Sequence, residues 1–340
     1  MIWNPKDTVN DGLYTIERKL GDGRFSSTFL AYHNRGTYNN ERLVIKTWRE
    51  VTDKDTAQSA DQIKELNEKL HKEATKLSKC DSPYIVSLID EEFSETDSYG
   101  NEWVCLPLEY IPGIKLHELS QQMLSEADAL RYIRQIGRGL MEVHDKKLVH
   151  LDVKPDNIII RQQTNEAVLI GFDFSRNPTK GLTPKTMNKA VDGFAAPEWY
   201  QTGAVDVRTD IYSLAATLYF LVTGQVPFNA DKRLSGQNLP FPKTSKPTIS
   251  ERMKDAINWG MEIDVENRPE NMQDWLKKLG RSYFDWDWFA DRHGVKWTAA
   301  SALAALAGVV VTLAIGLGWI SPPSPAERTD PANNEVILTQ

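Results

Sequence analysis

The densest concentration of chemically capable side chains is His150-Leu151-Asp152-Val153-Lys154-Pro155-Asp156-Asn157, set directly before the apolar run Ile158-Ile159-Ile160. Charged groups gathered this tightly against a buried strand are costly to desolvate unless they act on something. Asp152 can take the proton of an attacking hydroxyl, and Lys154 can neutralise charge on a transferring phosphoryl group. Asn157 can coordinate a cation through its amide oxygen. Further along, the apolar run Val168-Leu169-Ile170-Gly171-Phe172 delivers Asp173, then Phe174 and Ser175. A carboxylate there suits Mg2+, a hard cation held by oxygen and commonly shared with phosphates.

Two earlier segments have the chemistry to complete such a site. Gly21-Asp22-Gly23-Arg24-Phe25-Ser26 joins two predicted strands, and its glycines let a tight hairpin bring backbone N–H groups against phosphate oxygens. It leads into a strand rather than a helix, which counts against a dinucleotide-binding fold. Lys46 ends the apolar run Leu43-Val44-Ile45, and an ammonium moved toward an interior requires an anion. A phosphate and a helical carboxylate would both serve. Glu73 is the best candidate for the latter, with Asp61, Glu65 and Glu68 on the same stretch. Ala196-Pro197-Glu198 and the Arg268 of Glu266-Asn267-Arg268-Pro269 follow. Asp210, read by itself, is an ordinary helix N-cap.

Alternation and helical spacing predict the elements that position these groups. Strand-like runs cover 13–20, 28–33, 42–48, 85–91 and 102–109, with a helical stretch over 57–79. From 116 onward the pattern is mainly helical, at 126–144, 210–223, 253–261 and 272–280. A strand-rich half feeding a helical half is an α+β arrangement. There is no internal repeat.

Composition narrows the function. The 47 acidic and 40 basic residues give a net charge of -7, which argues against a nucleic-acid partner. Cys80 and Cys105 form neither a disulfide framework nor a metal spacing, so two buried reduced thiols are expected. The N-terminus shows no signal peptide. Residues 298–320 carry no charge; as a helix they would extend about 34 Å, enough to cross a bilayer core. Trp297 and Trp319 mark its ends. Lys278, Arg281, Arg292 and Lys296 precede it and Arg328 alone follows, which places residues 1–297 in the cytoplasm and 321–340 outside. The aromatic segment 281–297 suits either a membrane surface or packing on the main domain. Ala304, Gly308 and Thr312 have the small-residue spacing that lets a second copy approach as a homodimer.

In order and spacing, residues 12–280 resemble the protein kinases, and among them the eukaryotic-type (Hanks-type) bacterial Ser/Thr kinases. The resemblance implies a bilobal fold with a β-rich N-lobe over 12–110 and a helical C-lobe over 111–280. It further implies an ATP-dependent enzyme acting on Ser/Thr hydroxyls of protein substrates. Gly21, Asp22 and Gly23 would cover the ATP phosphates, and Lys46 would contact the α- and β-phosphates while paired to Glu73. Asp152 would be the base, Lys154 would touch the γ-phosphate, and Asn157 and Asp173 would hold Mg2+. Glu109, Tyr110 and Ile111 align with the adenine-binding hinge, Val44 and Ile159 with the adenine sandwich, and Glu198 and Arg268 with a buried ion pair. Thr179, Thr183 and Thr186 fall where autophosphorylation occurs.

Several positions depart from the family pattern. Ser26 replaces a glycine of the phosphate loop, and Leu151 replaces the arginine beside the base. Ser175 follows Asp173-Phe174 in place of glycine, Val44 replaces a smaller alanine, and Val191 stands where threonine is usual. These raise the rival reading of a pseudokinase or ATP-binding scaffold. Retention of Lys46, Asp152, Asn157 and Asp173 argues against it. A small-molecule phosphotransferase of related fold is disfavoured by Ala196-Pro197-Glu198 and Lys154-Pro155.

Overall fold

The computed structural model describes residues 3–22, 26–36, 40–49, 80–97, 100, 102–119, 123–171, 193–201, 204–242 and 249–280. The chain divides into two units, Met1–Gly280 and Arg281–Gln340. All described residues belong to the first. The helical stretch expected at 57–79, the aromatic segment 281–297, the span at 298–320 and the tail at 321–340 lie outside them. Among the described residues, no helix is long and apolar enough to cross a membrane.

The N-terminal part is a six-stranded antiparallel sheet of β1 (Thr8–Val9), β2 (Tyr14–Asp22), β3 (Ser26–His33), β4 (Arg42–Arg49), β5 (Phe93–Thr96) and β6 (Glu102–Glu109). Its strand order is β1-β2-β3-β4-β6-β5. Alternation buries Tyr14 and Ile16 of β2, Phe29 and Ala31 of β3, and Leu43 and Ile45 of β4 in one cluster. Trp3 joins that cluster from the N-terminus, its ring 4.9 Å from Phe29.

The predicted strand at 85–91 is corrected. Ile85 and Leu88 make only single bridges, to Leu169 and Leu108, and the strand in this region is Phe93–Thr96. Ile85 and Val86 are buried, held where Val86 N–H bonds Leu169 O at 3.0 Å and Leu169 N–H bonds Tyr84 O at 2.8 Å. This apolar run therefore reaches across to the C-lobe instead of continuing a ladder.

The C-lobe opens with β7 (Gly113–Lys115), α1 (Leu116–Leu119) and α2 (Glu126–Asp145). It continues with β8 (Ile158–Arg161), β9 (Ala167–Leu169), α3 (Pro197–Gln201), α4 (Val207–Thr223), α5 (Ala230–Leu234), α6 (Glu251–Gly260) and α7 (Met272–Lys278). Strands β7, β8 and β9 form a small antiparallel sheet. Helix α2 starts where Ser125 Oγ accepts the Asp128 N–H, and buries Ala129, Ile133, Ile136, Leu140 and Val143 along one stripe. Helix α4 is buried on nearly every side, so its polar residues must bond inward. The hydroxyls of Ser213, Thr217 and Thr223 do so, each donating to a carbonyl four residues earlier. Cys80 and Cys105 are buried free thiols, as expected.

Candidate active site

The site is built on the turn between α2 and β8. Pro155–Asn157 forms one 3-10 turn, with proline at its start where no N–H is needed. This turn folds the polar side chains onto one another. Lys154 Nζ lies 2.7 Å from Asp152 Oδ1, and Asn157 Nδ2 donates to Asp152 Oδ2 at 2.7 Å and to Asp152 O at 2.8 Å. Each carboxylate oxygen is thus held by a different donor, which fixes the plane of the group. The side chains of Lys154 and Asp152 remain 14% and 16% exposed, so the cluster is not sealed from solvent.

Because the Asn157 nitrogen faces two acceptors, its Oδ1 must face the other way. That leaves a hard amide oxygen of the kind Mg2+ takes, so the residue fits a metal role. Gly171, with φ +88°, closes against it: a Cβ there would lie 2.9 Å from Asn157 Cγ. Only glycine meets both conditions. The proposed second ligand, Asp173, lies outside the described residues, as do Gly23 and Glu73. Among the described residues, no three His, Cys, Asp or Glu side chains cluster as a metal site.

What holds the turn is Asp210, and here the sequence reading is corrected. Helix α4 begins at Val207 under a capping box of Asp206 and Thr209, so Asp210 is not the cap. It is fully buried and accepts the backbone N–H groups of His150 and Leu151, both at 2.8 Å. His144 Nε2 sits 2.9 Å from the same carboxylate. Leu151 has φ 67°, a left-handed conformation that costs a leucine about 1–2 kcal/mol. The two amide bonds to a buried carboxylate offset that strain.

His150 is also fully buried, and burial pushes its pKa below the usual value. The carboxylates of Asp210 and Asp152 oppose that shift, whereas Lys46 adds to it. The Asp152 N–H donates to His150 Nδ1 at 3.3 Å, which leaves the proton of the neutral ring on Nε2.

In the N-lobe sheet, Lys46 sits in β4 between Thr28 of β3 and Leu106 of β6. Gly21 and Asp22 end β2. Asp22 is held by Lys19 Nζ at 2.5 Å and by the Ser27 hydroxyl at 2.7 Å, and Lys19 is the main reason its carboxyl lies below the usual range. Leu20, one residue before Gly21, is 41% exposed.

Val44 and Ile159 border the core cluster that also contains Leu106, Leu108 and Ile111. The Glu109 side chain points elsewhere. Both its oxygens accept from Arg161 Nη2, at 3.0 and 2.8 Å, and Oε1 also accepts the Ser87 N–H at 3.1 Å. Arg161 was not anticipated from sequence.

Glu198 and Arg268 form the expected buried pair. Arg268 donates to both Glu198 oxygens at 2.7 and 2.8 Å and to Glu262 O at 2.7 Å, while Thr209 Oγ1 donates to Glu198 at 2.8 Å. With every polar atom engaged, the pair ties α3 to the loop before α7 and to the start of α4.

Comparison with known proteins identifies the family. Residues 14–279 match the family model described as protein kinase domain. The chain is 23% identical over 295 residues to serine/threonine-protein kinase pkn2 of Myxococcus xanthus, spanning 82% of this chain and 33% of that protein. It is 27% identical over 274 residues to serine/threonine-protein kinase PrkC of Bacillus subtilis, spanning 77% of this chain and 39% of that protein. Against serine/threonine-protein kinase ATG1c of Arabidopsis thaliana it is 31% identical over 229 residues, spanning 66% of this chain and 28% of that protein. The chain therefore covers well under half the length of each of these relatives. With a sheet-rich N-lobe, a helical C-lobe and a family match running through both, the chain belongs to the protein kinase domain family.

Proposed function

We propose that this chain is a Ser/Thr protein kinase that transfers the γ-phosphoryl group of ATP to hydroxyls of protein substrates, itself among them. Residues 12–280 are its catalytic domain, and residues 298–320 anchor it in a membrane with that domain in the cytoplasm. The observation that carries the reading is the partly exposed Asp152 carboxylate fixed between Lys154 and Asn157. The relatives' names, serine/threonine-protein kinases all, support the substrate class.

In this reading the incoming hydroxyl hands its proton to Asp152 as its oxygen bonds the γ-phosphorus and the bond to the β-phosphate oxygen breaks. Lys154 follows the charge on the moving phosphoryl group. Lys46 holds the α- and β-phosphates beneath the Gly21-Asp22-Gly23 loop. The backbone of Glu109 and Ile111 bonds the adenine, which lies between Val44 and Ile159 with Leu20 across its edge. Asn157 Oδ1 and Asp173 would hold Mg2+, which would neutralise the phosphate charge.

Labelled ATP and Mg2+ given to the purified chain should label the chain or a generic basic protein. Asp152→Ala should lower that transfer by about 10²–10⁴-fold while nucleotide binding persists. A wild-type chain that binds nucleotide without any transfer would make it a scaffold. For the anchor, protease should act from outside on sealed vesicles that enclose the cytoplasmic side. Only the tail beyond Ile320 should be clipped, and digestion of the catalytic body would overturn the orientation.

A further inference from the structure

We infer that Arg161 is a positioning residue for nucleotide binding: from β8 it holds the Glu109 carboxylate and, through it, the hinge backbone that reads adenine. This rests on the kinase reading above, since it assigns Glu109 and Ile111 to the adenine edge.

Strand β8 places Ile159 and Arg161 two residues apart, and side chains at that spacing leave a strand on the same face. The face that supplies the floor of the adenine slot therefore also supplies the guanidinium that grips the hinge. Arg161 is itself anchored, its N–H bonding Glu166 O at 2.9 Å. Beyond Glu109 the hinge is tied to β8 by main chain: Gln162 N–H donates to Pro112 O at 2.9 Å, and Gly113 pairs with Arg161. A Cβ on Gly113 would lie 2.2 Å from Ile160 O, so the two segments run in close contact.

At Glu109 the tie to β8 is the side chain, with both oxygens on Arg161 Nη2. The same carboxylate accepts the Ser87 N–H, and Ser87 O accepts the Glu109 N–H at 3.0 Å. One residue thus joins the N-lobe sheet, the 85–89 segment and the C-lobe sheet. The side chains of Arg161 and Glu109 are 25% and 18% exposed, so the pair is partly sheltered from screening and holds better than an open surface pair. A hinge held in its binding geometry loses less freedom when the adenine arrives. Substitution of either side chain leaves the hinge main-chain groups in place and changes only how firmly they are held.

The test combines steady-state kinetics with binding of a fluorescent ATP analogue to the full-length chain. Arg161→Ala should raise the KM for ATP and the Kd of the analogue about tenfold, with kcat within about twofold. Arg161→Lys, which keeps the charge, should recover most of the affinity. Glu109→Gln/Arg161→Ala should bind no more weakly than Arg161→Ala, because both changes break one connection. Should Arg161→Ala fail to fold, Arg161→Gln carries the same expectation. A lowered melting temperature with unchanged KM would make the pair a plain strut and overturn the inference, as would a double variant equal to the product of the singles. If the wild type binds no nucleotide, the kinase reading falls and this inference with it. If it binds normally and the Arg161 variants bind equally well, only the inference falls.

Discussion

Two aspartates, Asp210 in the C-lobe and Asp22 in the N-lobe sheet, are held in opposite surroundings. Asp210 is fully buried under the turn that carries Asp152, with two backbone amides and His144 on its oxygens. Asp22 sits at the end of β2, 61% exposed at its side chain, with Lys19 and the Ser27 hydroxyl as partners. In a buried site each bond to a carboxylate is worth more and each loss leaves a stranded donor. At the surface, water replaces what is removed. The groups proposed to do the chemistry thus ride on backbone that cannot move cheaply. The loop proposed to lie over the phosphates is fastened by bonds that open at little cost, as a cover over an exchanging ligand requires.

The largest effect that would break this contrast is on the buried side. Asp210→Ala should destabilise the fold by about 3–5 kcal/mol in denaturant unfolding, since it strands two backbone donors and a histidine. It should also cut phosphoryl transfer more than 10²-fold or so through disorder of the turn. A stable, active Asp210→Ala chain would mean the turn is held elsewhere.

A second, smaller effect concerns His150. Burial depresses its pKa in the fold, so below about pH 6.5 the unfolded chain takes up a proton that the fold refuses. Unfolding is then favoured by acid, and stability declines from there down to the depressed folded value. The melting temperature should fall over that window in the wild type and fall less in His150→Phe. Equal slopes would show that burial does not hold the imidazole neutral. The smallest effect belongs to the exposed wall. Asp22→Asn should leave the melting temperature within about 2 °C and lower the KM for ATP by no more than about threefold, because one negative charge at the loop proposed to cover the phosphates is gone. A large loss of stability there would erase the distinction.

The catalytic turn was readable from sequence because its signal is local. Asp152, Lys154 and Asn157 lie close in sequence, and the 3-10 turn at Pro155–Asn157 folds them onto one another. Strand Glu102–Glu109 was readable in full for a similar reason, being bounded by turn residues and rich in apolar side chains. Asp210 was misread because a carboxylate near the start of an apolar helix looks like a cap. Only the Asp206–Thr209 pair, three residues apart, shows that the helix begins earlier. The 85–91 segment was misread because its apolar pattern serves isolated bridges to two different strands, which alternation cannot distinguish from a ladder. Arg161 carried no sequence signal, since its partner Glu109 lies 52 positions away and neither neighbourhood is unusual.

Trp3 bears on how this molecule should be handled. Its indole caps the ring of Phe29, and the residues after it are stitched to β2, where Lys6 N–H bonds Ile16 O at 2.8 Å and Ile16 N–H bonds Asp7 O at 2.9 Å. The family pattern is matched only from residue 14, so a fragment trimmed to that boundary would look complete by comparison with its relatives. It would nonetheless expose an aromatic ring and an open strand edge, and such surfaces invite aggregation. For this chain, an expression boundary drawn from homology would cut inside the cooperative unit.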